Sequence, residues 1–205
     1  MGRGVRKGPD ILLRAYLSEF KPEDDVSLVL RVHAIDGRPQ IEFHDWVSEF
    51  IRKDLRLDPD HIPDILFLDE ILTHGEMRAL YEEVDAFVLP TRGEGFGRPF
   101  LEALVSGLPT IGTGWGGHLD FLSDANGYLI EVEALEPVPR DVMPHGGHRW
   151  AKPSEEHLRK LMRRVYEDPE EGRRKARRSI AGLLSRFNVK SVANMVVSEL
   201  NLLQA

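Results

Sequence analysis

The 205-residue sequence contains no cysteine, which excludes disulfides, thiolate metal ligands and cysteine nucleophiles. It also lacks an uninterrupted apolar stretch long enough to cross a bilayer, which requires about 20 residues. Basic residues are in deficit, because 27 Lys and Arg stand against 34 Asp and Glu and give a formal net charge of −7. Binding to a nucleic-acid backbone needs a basic surface, so we expect no nucleic-acid partner.

Motifs of several enzyme classes are missing as well. The sequence has neither the Gly-x-Ser-x-Gly element of many hydrolases nor a Walker A motif. Of its eight histidines, His145 and His148 form the nearest pair, and no carboxylate on a helix completes a metal site beside them. We therefore predict no protein-bound metal.

Two hydrophobic periods alternate along the chain. Apolar residues at helical spacing predict helices over residues 10–20, 41–57, 75–83 and 99–106. Short apolar runs predict strands over residues 26–33, 64–68, 85–89, 110–113 and 128–131. Strands that alternate with helices and are nearly all apolar predict an α/β fold, in which helices cover both faces of a parallel sheet.

The character of the chain changes after residue 132. Residues 134–152 are rich in Pro and Gly without a period and predict a long loop. Residues 154–203 predict C-terminal helices, the first of which begins at a Ser154 cap. We expect one domain over residues 1–205 with a helical C-terminal tail.

Two features concern location. The chain does not open on a charged segment followed by an apolar one, the pattern of a secretory signal, so we expect a cytoplasmic protein. The basic run over residues 173–178 is either solvated beside Glu170 and Glu171 or in contact with an anionic membrane surface. The second interpretation would make the protein peripheral at the membrane.

The segment most informative about chemistry covers residues 89–117. It starts at the end of a predicted strand, passes through a loop with Gly93, Gly95 and Gly97, and enters a helix at Pro99. Glycines permit tight turns and the close approach of a ligand, and free amides at a helix start favour an anion. Ligands of open α/β sheets bind beyond the carboxyl ends of the strands, so we expect a ligand crevice here.

Two carboxylates lie in this segment. Glu94 is in the loop, and Glu102 is expected in the first turn of the following helix. Carboxylates accept hydrogen bonds from pairs of hydroxyl groups, so the pair favours a sugar or a ribose as substrate class. Glu102 taken alone is better explained as a complement to the helix dipole. The combination of strand, glycines, proline and paired acids favours the functional interpretation.

Residues 94–103 read Glu-Gly-Phe-Gly-Arg-Pro-Phe-Leu-Glu-Ala and resemble the Glu-x7-Glu signature of retaining GT-B glycosyltransferases of family 4, the glycosyl transferases group 1. The resemblance extends along most of the chain. Residues 6–15 are similar to the family's Lys-Gly-x-Asp-x-Leu-Leu-x-Ala segment. Residues 80–90 resemble its Leu-Tyr-x-x-Ala-Asp segment with Val84 in place of the alanine, and residues 116–129 and 147–153 match later positions.

The resemblance implies a fold and roles for individual residues. Family members hold a nucleotide sugar in the C-terminal of two Rossmann-like domains. By correspondence, Glu102 would bind the ribose hydroxyls and Glu94 would contact the transferred sugar. Lys7 would neutralise the diphosphate leaving group, which gains negative charge in the transition state. The family works without a protein-bound metal, and the nucleotide sugar is its donor substrate rather than a cofactor.

The remaining donor contacts rest on the same resemblance. Backbone amides of Gly95, Phe96 and Gly97 would face the donor sugar and the diphosphate. Arg98 belongs to a subgroup pattern and is a candidate binding residue without an assigned role. Base recognition in the family uses backbone groups, which we expect near residues 68–72.

Two positions stay open between alternatives. The family usually has an Arg five positions before its lysine, whereas here Arg3 lies four positions and Arg6 one position before Lys7. Arg6 is our candidate for the donor contact. His118 is either a donor contact at the crevice or a surface histidine at a helix start.

The family's acceptor-binding N-terminal domain has no counterpart in the sequence, and the first strand of the donor domain is expected to be missing too. We expect the chain to bind a nucleotide sugar without turning it over, because the acceptor glycan or lipid would be held by the missing domain. The alternative is a noncatalytic nucleotide-sugar-binding module that acts with a separate partner subunit.

Overall fold

The structure is a computed structural model that describes residues 5–32, 41–140, 142 and 146–202. Its described helices are α1 (Pro9–Glu19), α2 (Ile41–Glu49), α3 (His74–Glu83), α4 (Arg98–Val105), α5 (Glu155–Glu167), α6 (Pro169–Arg186) and α7 (Val189–Leu202). Its described strands are β1 (Ser27–Arg31), β2 (Asp64–Leu68), β3 (Phe87–Leu89), β4 (Thr110–Thr113), β5 (Tyr128–Ile130), β6 (Val132–Pro137) and β7 (Arg149–Pro153).

The first five strands form parallel sheets flanked by helices, which confirms the predicted fold class. β1 pairs with β2, with Ser27 opposite Asp64, and β3, β4 and β5 form a three-stranded sheet in that order. No strand pairing among the described residues joins these two sheets. The expectation that a central first strand is missing stays a prediction.

Side chains alternate between the two faces of the three-stranded sheet, and helices cover each face. On one face, Val88, Ile111 and Tyr128 pack into a core cluster with α1, α2 and α5. On the other face, Phe87 and Leu129 pack with α4 and α6. Strands that are apolar on both faces produce the nearly continuous apolar runs of the sequence.

Phe100 anchors α4 to the sheet. Its side chain is fully buried, and its ring meets the ring of Phe87 edge-on with 5.5 Å between the centroids. Gly112 of β4 makes room for it, because an added Cβ there would lie 2.5 Å from Cε1 of Phe100. This contact fixes the first turn of α4, where the glycine-rich loop enters the helix.

The prediction of a long loop over residues 134–152 is wrong at both ends. β6 and β7 pair antiparallel and form a hairpin. The Pro and Gly residues of this segment obscured the strand pattern. Pro137 and Pro153 are each the last residue of their strand, where a missing N–H costs little. Trp150 is buried in a small cluster with Val138 and Val142.

Other predicted elements are also shorter than expected. The helix predicted over residues 41–57 ends as α2 at Glu49 and continues as a π-helical turn, Phe50–Asp54. Phe50 and Ile51 are both buried, so the wider turn accommodates two consecutive large side chains in the core. The strand predicted over residues 26–33 ends at Arg31, and His33 lies outside the described residues.

The helical C-terminal region is confirmed. The hydroxyl of Ser154 accepts a hydrogen bond from the N–H of His157 at 3.3 Å and caps α5 as predicted. α7 follows α6 and contains no buried residue. Within the described part of the chain, none of the helices has the length and apolarity that spanning a bilayer requires.

The basic run over residues 173–178 is largely paired within the protein. Arg173 donates to Glu170 at 2.8 Å and to Asp85 at 2.7 Å. Arg177 lies 3.9 Å from Glu170. These contacts favour a solvated, locally neutralised helix face over a membrane contact.

Candidate active site

The turn before α1 lies against the glycine-rich loop. Gly8 adopts a left-handed conformation with φ of 73°, and an added Cβ would lie 2.1 Å from the carbonyl oxygen of Pro90. The N–H of Arg92 donates to the carbonyl of Arg6 at 2.8 Å. Lys7 is thereby held beside a loop that follows it by more than 80 residues.

Lys7 and Glu94 form an ion pair in this contact. The ammonium of Lys7 donates to Oε2 of Glu94, and Nη1 of Arg6 lies 3.6 Å from the same oxygen. Arg6 also donates to the carbonyl of Gly93 at 2.5 Å. The Glu94 side chain is only 11% exposed, so two cations surround a carboxylate that is mostly withdrawn from water.

Burial and neighbouring charges shift the pKa of Glu94 in opposite directions. Burial is the largest single influence and raises the pKa of its carboxyl group. The hydrogen bond and charge of Lys7, the charge of Arg6 and the N–H of Gly95 together outweigh it, so the pKa lies below its usual value of 4.5. Glu94 is therefore ionised at neutral pH and accepts hydrogen bonds without donating any.

Glu102 is the fifth residue of α4, one residue beyond the first turn in which it was predicted. α4 starts at Arg98, directly after Gly97 in a left-handed conformation, and its first turn carries no acidic residue. This position weakens the interpretation of Glu102 as a complement to the helix dipole, because that effect is confined to the first turn. The carboxylate is instead held by two side chains, through hydrogen bonds from Tyr81 and Arg98 that are both 3.2 Å long.

The described contacts divide the predicted site residues into two groups. Arg6 and Lys7 both contact Glu94, and Arg98 contacts Glu102. Both groups lie where β3 and the glycine-rich loop lead into α4, at the carboxyl edge of the parallel sheet.

The loop residues of the predicted site have distinct environments. Gly97 is buried, and an added Cβ would lie 2.8 Å from Cβ of His118. Gly95 is exposed, and Phe96 is 42% exposed. The ring of Phe96 packs on Phe121 and Phe187, with 5.3 and 5.6 Å between centroids, so residues after β4 and at the end of α6 support the loop.

A second glycine-rich turn, after β4, meets the first. The N–H of Gly117 donates to the carbonyl of Glu94 at 2.9 Å. An added Cβ at Gly117 would lie 1.6 Å from the carbonyl oxygen of Gly95. The backbones of the two loops are therefore in contact, and only a glycine fits at position 117.

His118 is a buried histidine, so the interpretation as a surface residue is wrong. Its Nε2–H donates to the carbonyl of Thr113 at 2.7 Å, and its ring stacks on Phe100 with 4.3 Å between centroids. Burial is the main influence that lowers its pKa below 6.5. Nδ1 is buried and has no hydrogen-bond partner among the described residues. A neutral imidazole therefore packs against the glycine-rich loop on its buried side, at Gly97.

The buried state of His118 predicts a pH-dependent stability. The pKa of His118 is lower in the folded protein than in the unfolded chain, so the unfolded state binds more protons below pH 6.5. The free energy of unfolding should therefore fall as the pH decreases below that value. We expect His118→Gln, which keeps a side-chain N–H but has no titrating group, to reduce the loss of stability between pH 7 and pH 5.5. Urea unfolding of both proteins at several pH values measures the difference, and equal pH dependence would contradict the expectation.

Several residues of this region were not predicted from the sequence. Arg92 donates two hydrogen bonds to Asp10, of 2.8 and 2.6 Å, and its guanidinium lies 5.5 Å from the ring of Trp150. The N–H of Ala151 donates to the carbonyl of Arg92 at 2.8 Å. The hairpin of β6 and β7 is thus attached to the start of the glycine-rich loop. Tyr81, which holds Glu102, was noted only as part of a family segment.

Some predictions concern residues outside the described part of the chain. Arg3 and His145 are among them. Within the described ranges, no group of three or more His, Asp or Glu side chains is arranged to hold a metal ion.

Comparisons with known proteins show the family to which the chain belongs. A family model described as glycosyl transferases group 1 matches residues 1–138. The lipopolysaccharide core biosynthesis mannosyltransferase LpsB of Rhizobium meliloti is 27% identical over 136 residues, which cover 65% of this chain and 36% of LpsB.

Solved structures show the same fold. HepE of Anabaena, in complex with UDP-glucose, is similar with a TM-score of 0.69 at 19% identity, over 98% of this chain and 46% of HepE. The C-terminal domain of LpcC, a glycosyl transferase group 1 family protein of Francisella tularensis, has a TM-score of 0.62 at 23% identity, over 91% of this chain and 83% of that domain.

The chain spans 36% of the length of LpsB and 46% of that of HepE. The family model, in contrast, matches about two thirds of the chain, including both turns that meet at the site. The chain belongs to the glycosyl transferases group 1 family.

Proposed function

We propose that this chain, over residues 1–205, is the donor-binding domain of a retaining glycosyltransferase and that it binds a nucleoside diphosphate sugar at the glycine-rich loop. The observation that carries the proposal is the contact of Lys7 and Arg6 with Glu94, on the same loop that leads to Glu102. Two cations and one carboxylate leave a local positive charge in a protein whose overall charge is negative.

The positive charge suits the diphosphate of such a donor. Lys7 is 38% exposed and Arg6 31% exposed, so both can reach a ligand beyond the loop. When the bond between the sugar's anomeric carbon and the diphosphate breaks, the diphosphate oxygen takes the electron pair and gains negative charge. A cation already in position stabilises that charge more than it stabilises the bound donor, which favours the reaction.

The two carboxylates suit the two hydroxyl-rich parts of the donor. Glu102, which is held by Tyr81 and Arg98, would accept hydrogen bonds from the ribose hydroxyls. Glu94 would accept hydrogen bonds from the transferred sugar, with the backbone of Gly95, Phe96 and Gly97 beside it. HepE, a structural neighbour of this chain, is described in complex with UDP-glucose, which supports the donor class.

The acceptor would be held outside this domain. Transfer needs an acceptor hydroxyl placed in a cleft that excludes water, and a glycan or a lipid-linked glycan is the acceptor class we propose. The name of LpsB, a lipopolysaccharide core mannosyltransferase, supports that class.

Titration calorimetry with UDP-glucose and GDP-mannose tests the donor assignment. We expect one of the two donors to bind, and Glu102→Ala to weaken its binding about 10-fold, since hydrogen bonds to a charged group contribute about 1.5 kcal/mol or more. Glu82→Ala is the matched control, because Glu82 forms a similar i,i+4 ion pair with Arg78 on the exposed side of α3. Equal donor affinity of the wild type and Glu102→Ala would refute the ribose assignment.

A further inference from the structure

Tyr81 is a buried residue of α3 whose hydroxyl reaches Glu102 of α4. Its side chain is 8% exposed and packs with Ala103 and Leu108. The hydroxyl donates to Oε2 of Glu102 at 3.2 Å, and the carbonyl of Pro99 is a more distant second acceptor at 3.5 Å. The ring meets Phe87 edge-on with 6.3 Å between centroids, which holds the phenol in place.

The hydroxyl of Tyr81 remains a donor over the working pH range. Burial is the largest influence that raises the pKa of the phenol, and the negative charge of Glu102 raises it further. Because a carboxylate accepts hydrogen bonds and does not donate them, the direction of the bond from Tyr81 to Glu102 is fixed.

The second partner of Glu102 holds it much less firmly. Arg98 is 75% exposed, and its contact with Oε1 of Glu102 is an i,i+4 ion pair at the surface. Such pairs contribute little, because solvent screens them and both side chains lose freedom. Tyr81 is thus the contact that defines the orientation of the Glu102 carboxylate.

An oriented carboxylate discriminates among its ligands more strongly than a mobile one. Its two oxygens offer about four acceptor positions, of which Tyr81 and Arg98 use one each. The remaining positions suit two vicinal hydroxyl groups. A ligand that lacks one of these hydroxyls leaves an acceptor of the oriented carboxylate without that partner, which lowers the affinity for this ligand.

We propose that Tyr81 is a positioning residue that orients the Glu102 carboxylate and thereby makes the site prefer ribonucleotide over 2′-deoxyribonucleotide donors. This inference rests on the proposed function, since it requires Glu102 to bind the ribose. It adds to that function the positioning role of Tyr81 and the preference for ribonucleotides.

Titration calorimetry with UDP and 2′-deoxy-UDP tests the inference. If the wild type binds GDP instead, the corresponding guanosine nucleotides are used. We expect the wild type to prefer the ribonucleotide about 10-fold. Tyr81→Phe should weaken ribonucleotide binding about 3- to 10-fold and leave deoxyribonucleotide binding nearly unchanged, so the ratio of the two affinities should fall from about 10 to between about 1 and 3. In a Glu102→Ala background, Tyr81→Phe should have no further effect on the ratio.

Tyr16→Phe is the matched control. Tyr16 is also a buried tyrosine, and its hydroxyl donates to the carbonyl of Asp64 at 2.9 Å, on a different face of the protein's core. Removing the Tyr16 hydroxyl eliminates a buried hydrogen bond that does not involve Glu102, so the ratio of the two nucleotide affinities should stay at the wild-type value. Circular dichroism verifies folding, and Tyr81→Met, which also lacks the hydroxyl, replaces Tyr81→Phe if that variant does not fold.

The possible outcomes separate the two proposals. A Tyr81 variant that keeps the wild-type ratio, or weakens both nucleotides equally, overturns the positioning role of Tyr81. If Glu102→Ala weakens ribonucleotide binding in the same experiment, the proposed function stands and only this inference fails. If Glu102→Ala has no effect, the ribose assignment itself fails.

Discussion

A Lys7→Met variant is expected to bind a nucleoside diphosphate sugar about 100-fold more weakly than the wild type. The lysine supplies one of two cations beside the loop, and a hydrogen bond between charged groups contributes up to about 3 kcal/mol, which corresponds to about 100-fold. Methionine keeps the length and the apolar part of the side chain, so the change removes mainly the charge. Titration calorimetry measures the loss.

The same variant should change the titration of Glu94. In the wild type, the lowered pKa means that this residue contributes to stability above pH 4.5 and that the contribution is lost as the pH falls through the folded-state value. Without Lys7, burial still raises the pKa, and only Arg6 and the N–H of Gly95 oppose it. The midpoint should therefore rise, and carbon NMR of the carboxyl group measures it.

Lys53→Met is the control for the loss of a lysine. Lys53 is 73% exposed and pairs with Glu49 in an i,i+4 contact on α2 and its π-helical continuation. Its replacement should leave both donor affinity and the Glu94 midpoint unchanged. If Lys7→Met behaved like this control, the diphosphate assignment of Lys7 would be wrong.

A Gly117→Ala variant should lose donor binding to a similar extent, by about 100-fold. The added Cβ would lie 1.6 Å from the carbonyl oxygen of Gly95, so the loop that carries Glu94 must shift. Each hydrogen bond to a charged group that this shift breaks costs about 1.5 kcal/mol or more, so the loss of two such bonds corresponds to about 100-fold in affinity. The overpacking should also lower the free energy of unfolding by about 1–3 kcal/mol.

Gly182→Ala is the matched control for this change. Gly182 lies inside α6, and an added Cβ would meet no atom within 4 Å. Alanine there should raise the free energy of unfolding by about 0.5–1 kcal/mol, because alanine loses less freedom than glycine in a helix, and it should leave donor affinity unchanged. Urea unfolding and calorimetry measure both variants, and unaltered donor binding by Gly117→Ala would show that the loop contact is not required.

Local patterns predicted most of the fold. Alternating hydrophobic periods indicated the five parallel strands and the helices between them, because burial of both sheet faces determines which residues are apolar. The hairpin of β6 and β7 was missed because Pro137, Pro139, Pro144, Gly146 and Gly147 gave the segment the composition of a loop. Glu102 was placed in the first turn of its helix but lies one residue beyond it, since the helix begins at Arg98 rather than at Pro99.

Some parts of the candidate site were predictable from the sequence pattern, and others were not. The glycines, Pro99 and the two carboxylates stand together in the sequence, so a loop with acidic groups at a helix start was predictable from spacing alone. The role of Lys7 came only from a family resemblance. Its contact with Glu94 joins segments 87 positions apart, and periodicity carries no information at that separation.

The sequence by itself determined the parallel strands, the helices between them, their apolar faces and the chemical types available at the loop, because these depend on neighbours within one or two turns. Only the tertiary structure decided which groups act on one another. It placed Lys7 against Glu94, Tyr81 against Glu102 and Gly117 against Gly95. The physical reason is that hydrogen bonds and close backbone contacts act over a few ångströms in space, whatever the distance along the chain.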